Sequence, residues 1–363
     1  MTSPVYKPVY KPVKLNLWQR LRSQAFNGWG NSLISLVFLA IIAYLCWIIL
    51  DWGVLKAVFI GESADCKALE NRGACWALIQ RWGVFIIFGQ FPRDEIWRPQ
   101  LGLAIFVAAM FFSLYRRLWW WKLGVLWGIV LVVYIWLLMG GLGLTPVESD
   151  KWGGLSLTIV VAFYSLIPAF FLGILLALGR VSNLPAIKAI CVGFIELVRG
   201  VPLISVLFMA SVMVPLFFPE GVGVNKLTRT IIAFTLFEAA YMAESVRAGL
   251  LALPKGQYEA AEALGLGYWT RTSKIILPQS LKMVVPPLVN NVISTFKDTS
   301  LVLVIGLYDL LSTAKVAIRD VLWADYYLEV FIFIGVIYFM FCLFMSRYSQ
   351  MIERILNANQ KRS

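Results

Sequence analysis

The sequence predicts an all-α protein that crosses a membrane about eight times. Of its 363 residues, 60% are hydrophobic and 14% charged, and the mean hydropathy is +0.78. Apolar runs recur at the roughly 20-residue length that spans hydrocarbon, and basic residues gather in alternate connections. A soluble domain is nearer half apolar and a quarter charged, so this composition exceeds what one water-facing core can bury.

Composition also removes several function classes. There is no histidine, hence no HExxH site and no Ser-His-Asp arrangement, and no GxxxxGK[ST] loop is present to hold a nucleotide. No two aspartates fall at comparable depth in separate expected spans, as an intramembrane aspartyl protease would need. The chain is expected to be non-catalytic and to bind no metal or cofactor of its own. Its net charge of +12 reads as membrane topology, because a nucleic-acid partner would require a soluble basic surface.

In chain order, residues 1–31 read as a cytoplasmic arm. They contain VYKPVYKPV, a proline-spaced stretch suited to an extended conformation in place of a cleavable signal. Spans are expected near 32–50, 99–115, 123–143, 155–178, 187–218, 228–252, 281–305 and 326–346. Basic residues favour the cytoplasmic side. Lys7, Lys11, Lys14, Arg20 and Arg22 place the N-terminus there, and alternation then brings Arg116, Arg117, Lys122, Arg180 and Lys188 to the same side. The tail 347–363, with Arg347, Arg354, Lys361 and Arg362, follows them.

The external connection 51–98 balances Lys56, Lys67, Arg72, Arg81, Arg93 and Arg98 against Asp51, Glu62, Asp65, Glu70, Asp94 and Glu95. Cys66 and Cys75 share it; they either form a disulfide in an oxidising compartment or remain two thiols. Within it, CWALIQRWGVFIIFGQFP (75–92) is apolar but too short to cross, and reads as an interfacial or re-entrant piece. Cys46, Cys191 and Cys342 lie in expected spans as small apolar residues.

Polar residues inside spans mark the candidate pathway, because a charge at a helix centre costs about 2.5–3.5 kcal/mol on insertion scales. At 1.5 Å per residue, Glu238 lies about 15 Å from the outer end of 228–252, near the midplane. Tyr241, Met242 and Ser245 follow at helical spacing, and Glu244 stands three residues from Arg247, within pairing distance. In 281–305, Asn290 and Asn291 follow Pro286 and Pro287, which remove backbone donors and loosen the helix. Lys297, Asp298, Thr299 and Ser300 then interrupt the apolar run. A zwitterion needs both signs of partner: Glu238 or Asp298 for an ammonium, and Lys297 or free backbone N–H groups for a carboxylate. A plain Lys297–Asp298 ion pair at the interface is the alternative. Glu196 and Arg199 are expected to brace a bend at Gly200 and Pro202.

The remaining feature is EAAEALGLGYWTRTSKIILP (259–278), too charged to continue a span and too regular for a loop. It reads as a helix ended by Gly265 and Gly267, then a second short helix over 268–276 closed by Pro278. Glu259, Ala260 and Ala261, then three residues, Gly265, nine residues, Ile275, one residue, Leu277 and Pro278 together resemble the coupling loop of bacterial ABC importer permeases. The runs 153–182, 194–208, 241–266 and 295–306 are similar to the amino-acid branch of that family. Residues 32–149 resemble the accessory helices of the longer permeases of general L-amino acid uptake systems.

The resemblance implies a type I ABC importer permease core of five helices over 150–346, with a coupling loop at 254–278 and three N-terminal helices added. It implies ATPase subunits that bind ATP and Mg in place of this chain, a second permease (a different chain or another copy), and a periplasmic amino-acid-binding protein. The setting implied is a bacterial inner membrane, with membrane lipid around the chain and both termini cytoplasmic. An ion-coupled secondary amino-acid transporter is the rival reading, because it too would carry buried carboxylates.

Overall fold

The structure is a computed structural model that describes Asn16 and residues 24–68, 73–119, 121–217, 219 and 223–360, with side chains to 356. Lys7, Lys11, Lys14, Arg20, Arg22, Glu70, Arg72, Lys361 and Arg362 lie outside the described residues. The chain forms two compact units, the first ending at Ala77 and the second beginning at Leu78. That boundary falls inside the 51–98 connection.

In the first unit, α1 (Trp29–Leu50) runs on through a π-helical turn, Asp51–Leu55. None of the α1 residues is buried. A helix that is apolar all round is suited to hydrocarbon. Beyond it the chain folds back on itself: Val58 pairs with Cys75, Trp76 donates its indole N–H to the Gly53 carbonyl at 2.8 Å, and Cys66 is disulfide-bonded to Cys75.

The second unit is helical almost throughout. It contains all but the first residue of α2 (Ala77–Phe88), then α3 (Trp97–Ser113), α4 (Trp121–Met139), α5 (Gly154–Val181), α6 (Pro185–Gly200), α7 (Leu203–Phe208) and α8 (Lys226–Ala252). After these come α9 (Lys255–Ala263), α10 (Tyr268–Arg271), α11 (Leu277–Met283), α12 (Val285–Asp298), α13 (Leu310–Ala317) and α14 (Tyr327–Gln360). Among the described residues six helical segments are long and apolar enough to cross a membrane: Trp29–Leu55, Arg93–Ser113, Trp121–Met139, Gly154–Val181, Val285–Ile305 and Ala324–Leu356.

The expected span 187–218 is instead two helices, Pro185–Gly200 and Leu203–Phe217, bent by 102°. Pro202 forces the break: it has no N–H to donate, and it holds the residue before it extended. The expected span 228–252 corresponds to the 27-residue α8. That helix is long enough to cross, but Lys226, Arg229, Glu238, Glu244 and Arg247 keep it out of the apolar class.

Helix α8 packs along α5, and small residues let the two backbones approach. A Cβ added at Gly173 would lie 2.9 Å from the Met242 Cβ and 3.1 Å from the Ala239 carbonyl oxygen. Membrane helices associate through such close van der Waals contact, since lipid supplies no hydrophobic drive between them. At the start of α5, Gly153 passes so close to Gly89, which ends α2, that a Cβ on Gly89 would sit 2.4 Å from the Gly153 Cα. Gly153 and Gly154 also bridge in parallel to Tyr308 and Asp309. Asp309 is fully buried and caps α13, accepting from the Leu311 and Ser312 N–H groups at 3.1 and 3.0 Å. Burial raises its carboxyl pKa above the ordinary range, against the pull of those bonds.

Arg98 corrects its reading as an external loop charge. Its side chain is fully buried, with Nε donating to the Leu137 carbonyl at 2.8 Å and Nη1 to the Thr145 carbonyl at 2.9 Å. It ties the start of α3 to the end of α4, and its guanidinium lies 5.7 Å from the Phe91 ring centroid.

Gly173→Leu should drive α5 and α8 apart, at a cost of about 1–3 kcal/mol from overpacking. The expected outcome is a lower melting temperature in detergent with the protein still inserted; an unchanged melting temperature would show that the crossing tolerates a side chain.

Candidate functional site

A cavity of about 230 Å³ opens where α8 faces α12. Helix α8 contributes Phe237, Glu238 and Tyr241; α12 contributes Asn291, Ser294 and Asp298; Leu203 and Leu301 complete the wall. The α12 residues stand at i, i+3 and i+7, one stripe of a helix, and Glu238 is 3% exposed. Asn291 donates from Nδ2 to the Ser245 Oγ at 3.3 Å, holding the two helices in register. Ser294 donates to Asp298 Oδ2 at 3.2 Å. Two carboxylates, a phenol, an amide and a hydroxyl on apolar walls form a site with acceptors for a cation and donors for a polar group.

The structure thus brings together Glu238, Tyr241, Asn291 and Asp298. Asn290 and Lys297 are exposed and do not line the cavity, because each is about 100° around the helix from its lining neighbour. Thr299 is fully buried and donates to the Phe296 carbonyl at 2.9 Å, so it is packed rather than presented. Among the described residues no ion pair joins Lys297 to Asp298. Pro286 and Pro287 do not loosen a helix interior: the break is at Val284, and they occupy the first positions of α12, where a missing N–H costs nothing. From Thr299 to Ile305 the chain tightens into a 3-10 helix and stops at Gly306, whose φ is +75°.

Glu244 lies outside the cavity, in an ion cluster. It meets Arg180 at 3.0 Å, Arg247 at 3.0 Å and Arg199 at 3.7 Å, while Glu196 pairs with Arg180 at 2.8 Å. Three helices, α5, α6 and α8, are joined there. Arg199 also lies 5.4 Å from the Tyr241 ring centroid, which connects the cluster to the cavity by a cation–π contact. Sequence reading places Glu196 and Arg199 at the bend but misses their partners on other helices. Ser294 was reachable from its spacing with Asn291 and Asp298.

On the side to which α5 and α8 point their C-terminal ends, residues 255–283 form an elbow. Helix α9 ends in a Schellman arrangement: the Leu266 N–H reaches the Ala261 carbonyl at 3.2 Å and the Gly265 N–H the Glu262 carbonyl at 2.8 Å. Gly265 takes φ +69°, which glycine adopts without steric cost. The second helix does not close at Pro278. It passes from α10 through a π-helical turn, Thr272–Ile276, into α11; widening the backbone there accommodates a proline that lacks the bond to the preceding turn.

Glu262 and Arg271 form an ion pair across the turn. Tyr258 donates to the Leu250 carbonyl at 3.1 Å, and burial raises its phenol pKa. Ile276 is buried with Ala177, Ile195, Ala243, Val246, Leu250 and Leu253, against which Tyr258, Ile275 and Leu277 also pack. Ala261 is 2% exposed. Glu259, Ala260, Gly265 and Pro278 face outward, beside Leu264 at 76% and Trp269 at 71% exposure. One side of the elbow is core and the other is free for a partner.

The model of the family described as "Binding-protein-dependent transport system inner membrane component" matches residues 169–357. The inner membrane amino-acid ABC transporter permease protein YhdY of Escherichia coli (strain K12) is 44% identical over 94% of this chain and 93% of its own length. The glutamate/glutamine/aspartate/asparagine transport system permease protein BztC of Rhodobacter capsulatus is 36% identical, over 94% of both chains. Among solved structures, an amino acid ABC transporter with histidines is 32% identical over 55% of this chain and 91% of its own, with a TM-score of 0.49.

Glu244→Ala leaves three arginines without their shared carboxylate. It should destabilise the protein by about 2 kcal/mol, less than the roughly 3–5 for breaking a fully buried pair. Glu196→Ala, whose side chain is 57% exposed, should change the melting temperature little. Equal effects in thermal unfolding would contradict the shared role given to Glu244.

Proposed function

The chain belongs to the family of inner membrane components of binding-protein-dependent transport systems, and on that premise we propose how it works. It is the transmembrane subunit of an ATP-driven amino-acid uptake system, a multi-pass helical protein that forms the translocation pathway. Residues 150–346 form the type I permease core, 32–149 the accessory helices, and 1–31 and 347–363 two cytoplasmic ends. Relatives named as amino-acid and transport-system permeases support this reading over an ion-coupled transporter.

ATPase subunits dock on the outward side of the elbow, at Glu259, Ala260, Gly265 and their exposed neighbours, and they hold ATP and Mg. This chain does no chemistry itself. A periplasmic binding protein delivers the amino acid, and a second permease, identical or different, supplies the facing half of the path. Closure of the ATPases moves the elbow and with it α8, so that the cavity at Glu238 is exposed to one side of the membrane and then the other. Glu238 and Asp298 receive the substrate ammonium, while Tyr241 and Asn291 orient it.

The observation that carries the proposal is continuity: Ile276 and Tyr258 of the elbow share a packed cluster with Val246 and Leu250 of α8, whose preceding turns present Glu238 and Tyr241 to the cavity. In proteoliposomes containing the whole transporter, Glu259→Lys or Gly265→Pro should leave the chain inserted while ATP hydrolysis no longer drives uptake. Uptake at the wild-type rate would remove the coupling role. Glu238→Gln should lower uptake about tenfold or more, as expected for losing one charged hydrogen-bond partner, and leave the ATPase coupled. Wild-type substrate affinity in that variant would take Glu238 out of the site.

A further inference from the structure

We propose that a second pocket, at the end of the helices opposite the elbow, binds the phosphate of an anionic phospholipid. The pocket has a volume of about 640 Å³ and lies between α2 and the start of the span Arg93–Ser113. Its place in the bilayer follows from two contacts. Gly89, which lines it, abuts Gly153 at the first turn of α5, whereas Ala177, near the last turn of α5, packs with Ile276 of the elbow. The pocket therefore sits where spans begin, at the depth of lipid headgroups.

Its lining sorts by chemistry. Arg81 and Arg93 supply N–H donors, and Trp82, Val84, Phe85 and Ile96 supply an apolar and aromatic wall. Among the described residues neither arginine lies within ion-pair distance of a carboxylate. The adjacent acids are directed elsewhere: Glu95 accepts from the Thr145 hydroxyl at 2.6 Å and stands 3.6 Å from Arg98, while Asp94 is exposed and does not line the pocket. Two cations, with no acid among the lining residues, are complementary to an anion.

The apolar wall favours a lipid over a dissolved anion. Helix α2 has 12 residues, too few to cross, and an apolar helix of that length with aromatic and arginine side chains belongs at the interface. A phosphate held by Arg81 and Arg93 would lay its glycerol and acyl chains along Val84, Phe85 and Ile96. Tryptophan and arginine at headgroup depth are the usual anchors for such contact.

The test uses the purified transport complex containing the full chain, reconstituted in nanodiscs of mixed phosphatidylglycerol and phosphatidylcholine. Native mass spectrometry should show phosphatidylglycerol retained on the wild type, and retention reduced roughly thirtyfold in R81Q/R93Q, given the attraction of each basic residue to an anionic surface. Equal retention by that variant overturns the proposal. Displacement of the lipid by millimolar inorganic phosphate also overturns it, in favour of a soluble-anion site. Because the double variant can fail to assemble, a second arm uses only the wild type: phosphatidylglycerol carrying a photoreactive headgroup should label residues 81–96, and labelling confined to other segments overturns the assignment.

Discussion

The contact of the elbow with the end of α8 carries the rest of the structure's working. Ile276 and the Tyr258 ring lie on Val246, Leu250 and Leu253, with Ala177 and Ile195 of two other helices closing the cluster. Close-packed side chains transmit displacement because no free volume is available to absorb it. Gly249 tightens the joint, since a Cβ there would meet the Ser280 carbonyl oxygen at 2.8 Å. In the proposed mechanism, a push on the exposed side of α9 reaches α8 as a movement of the whole helix. The Schellman turn at Gly265 and the π-helical turn before Pro278 give the elbow a fixed shape through which to deliver it.

A helix that holds polar groups in a bilayer needs compensation for its charges. Helix α8 finds it in protein. Glu244 is surrounded by three arginines, Arg199 leans on the Tyr241 ring, and Glu238 is enclosed at the α12 face. The stripe of small residues along α5 and α8 lets their backbones carry the association that polar side chains cannot. Arg98 follows the same rule in the accessory region, where backbone carbonyls of α4 and the following loop accept from Nε and Nη1 of a fully buried guanidinium. These groups are costly to bury singly, and each is accompanied by partners from another element.

Much of this was legible in the sequence, for reasons that differ by element. Apolar runs near 32–50, 155–178 and 326–346 announce themselves because hydrocarbon thickness sets a length. The span 228–252 was legible from its position between basic connections rather than from hydropathy. The elbow was legible because a glycine at a helix C-terminus has a backbone reason to be there. What stayed hidden depended on distant partners. Nothing local tells that Arg180 and Arg199 converge on Glu244, that Arg98 turns inward to Leu137, or that Asn291 rather than Asn290 faces the cavity. Pro278 misled because a π-helical turn can carry a proline through a helix that sequence rules would end.

The account rests on the elbow and α8 moving as one body, and spin-label distances in the assembled transporter test that most directly. With Cys46, Cys191 and Cys342 replaced by serine, one label at the exposed Leu264 would be paired with a second at the exposed Leu251, or with one at the exposed Val336 on α14. The 264–251 distance should stay constant between nucleotide-free and ATP-bound states while the 264–336 distance changes. A 264–251 distance that shifts on ATP binding while 264–336 does not would mean that the elbow bends away from α8, contradicting the account.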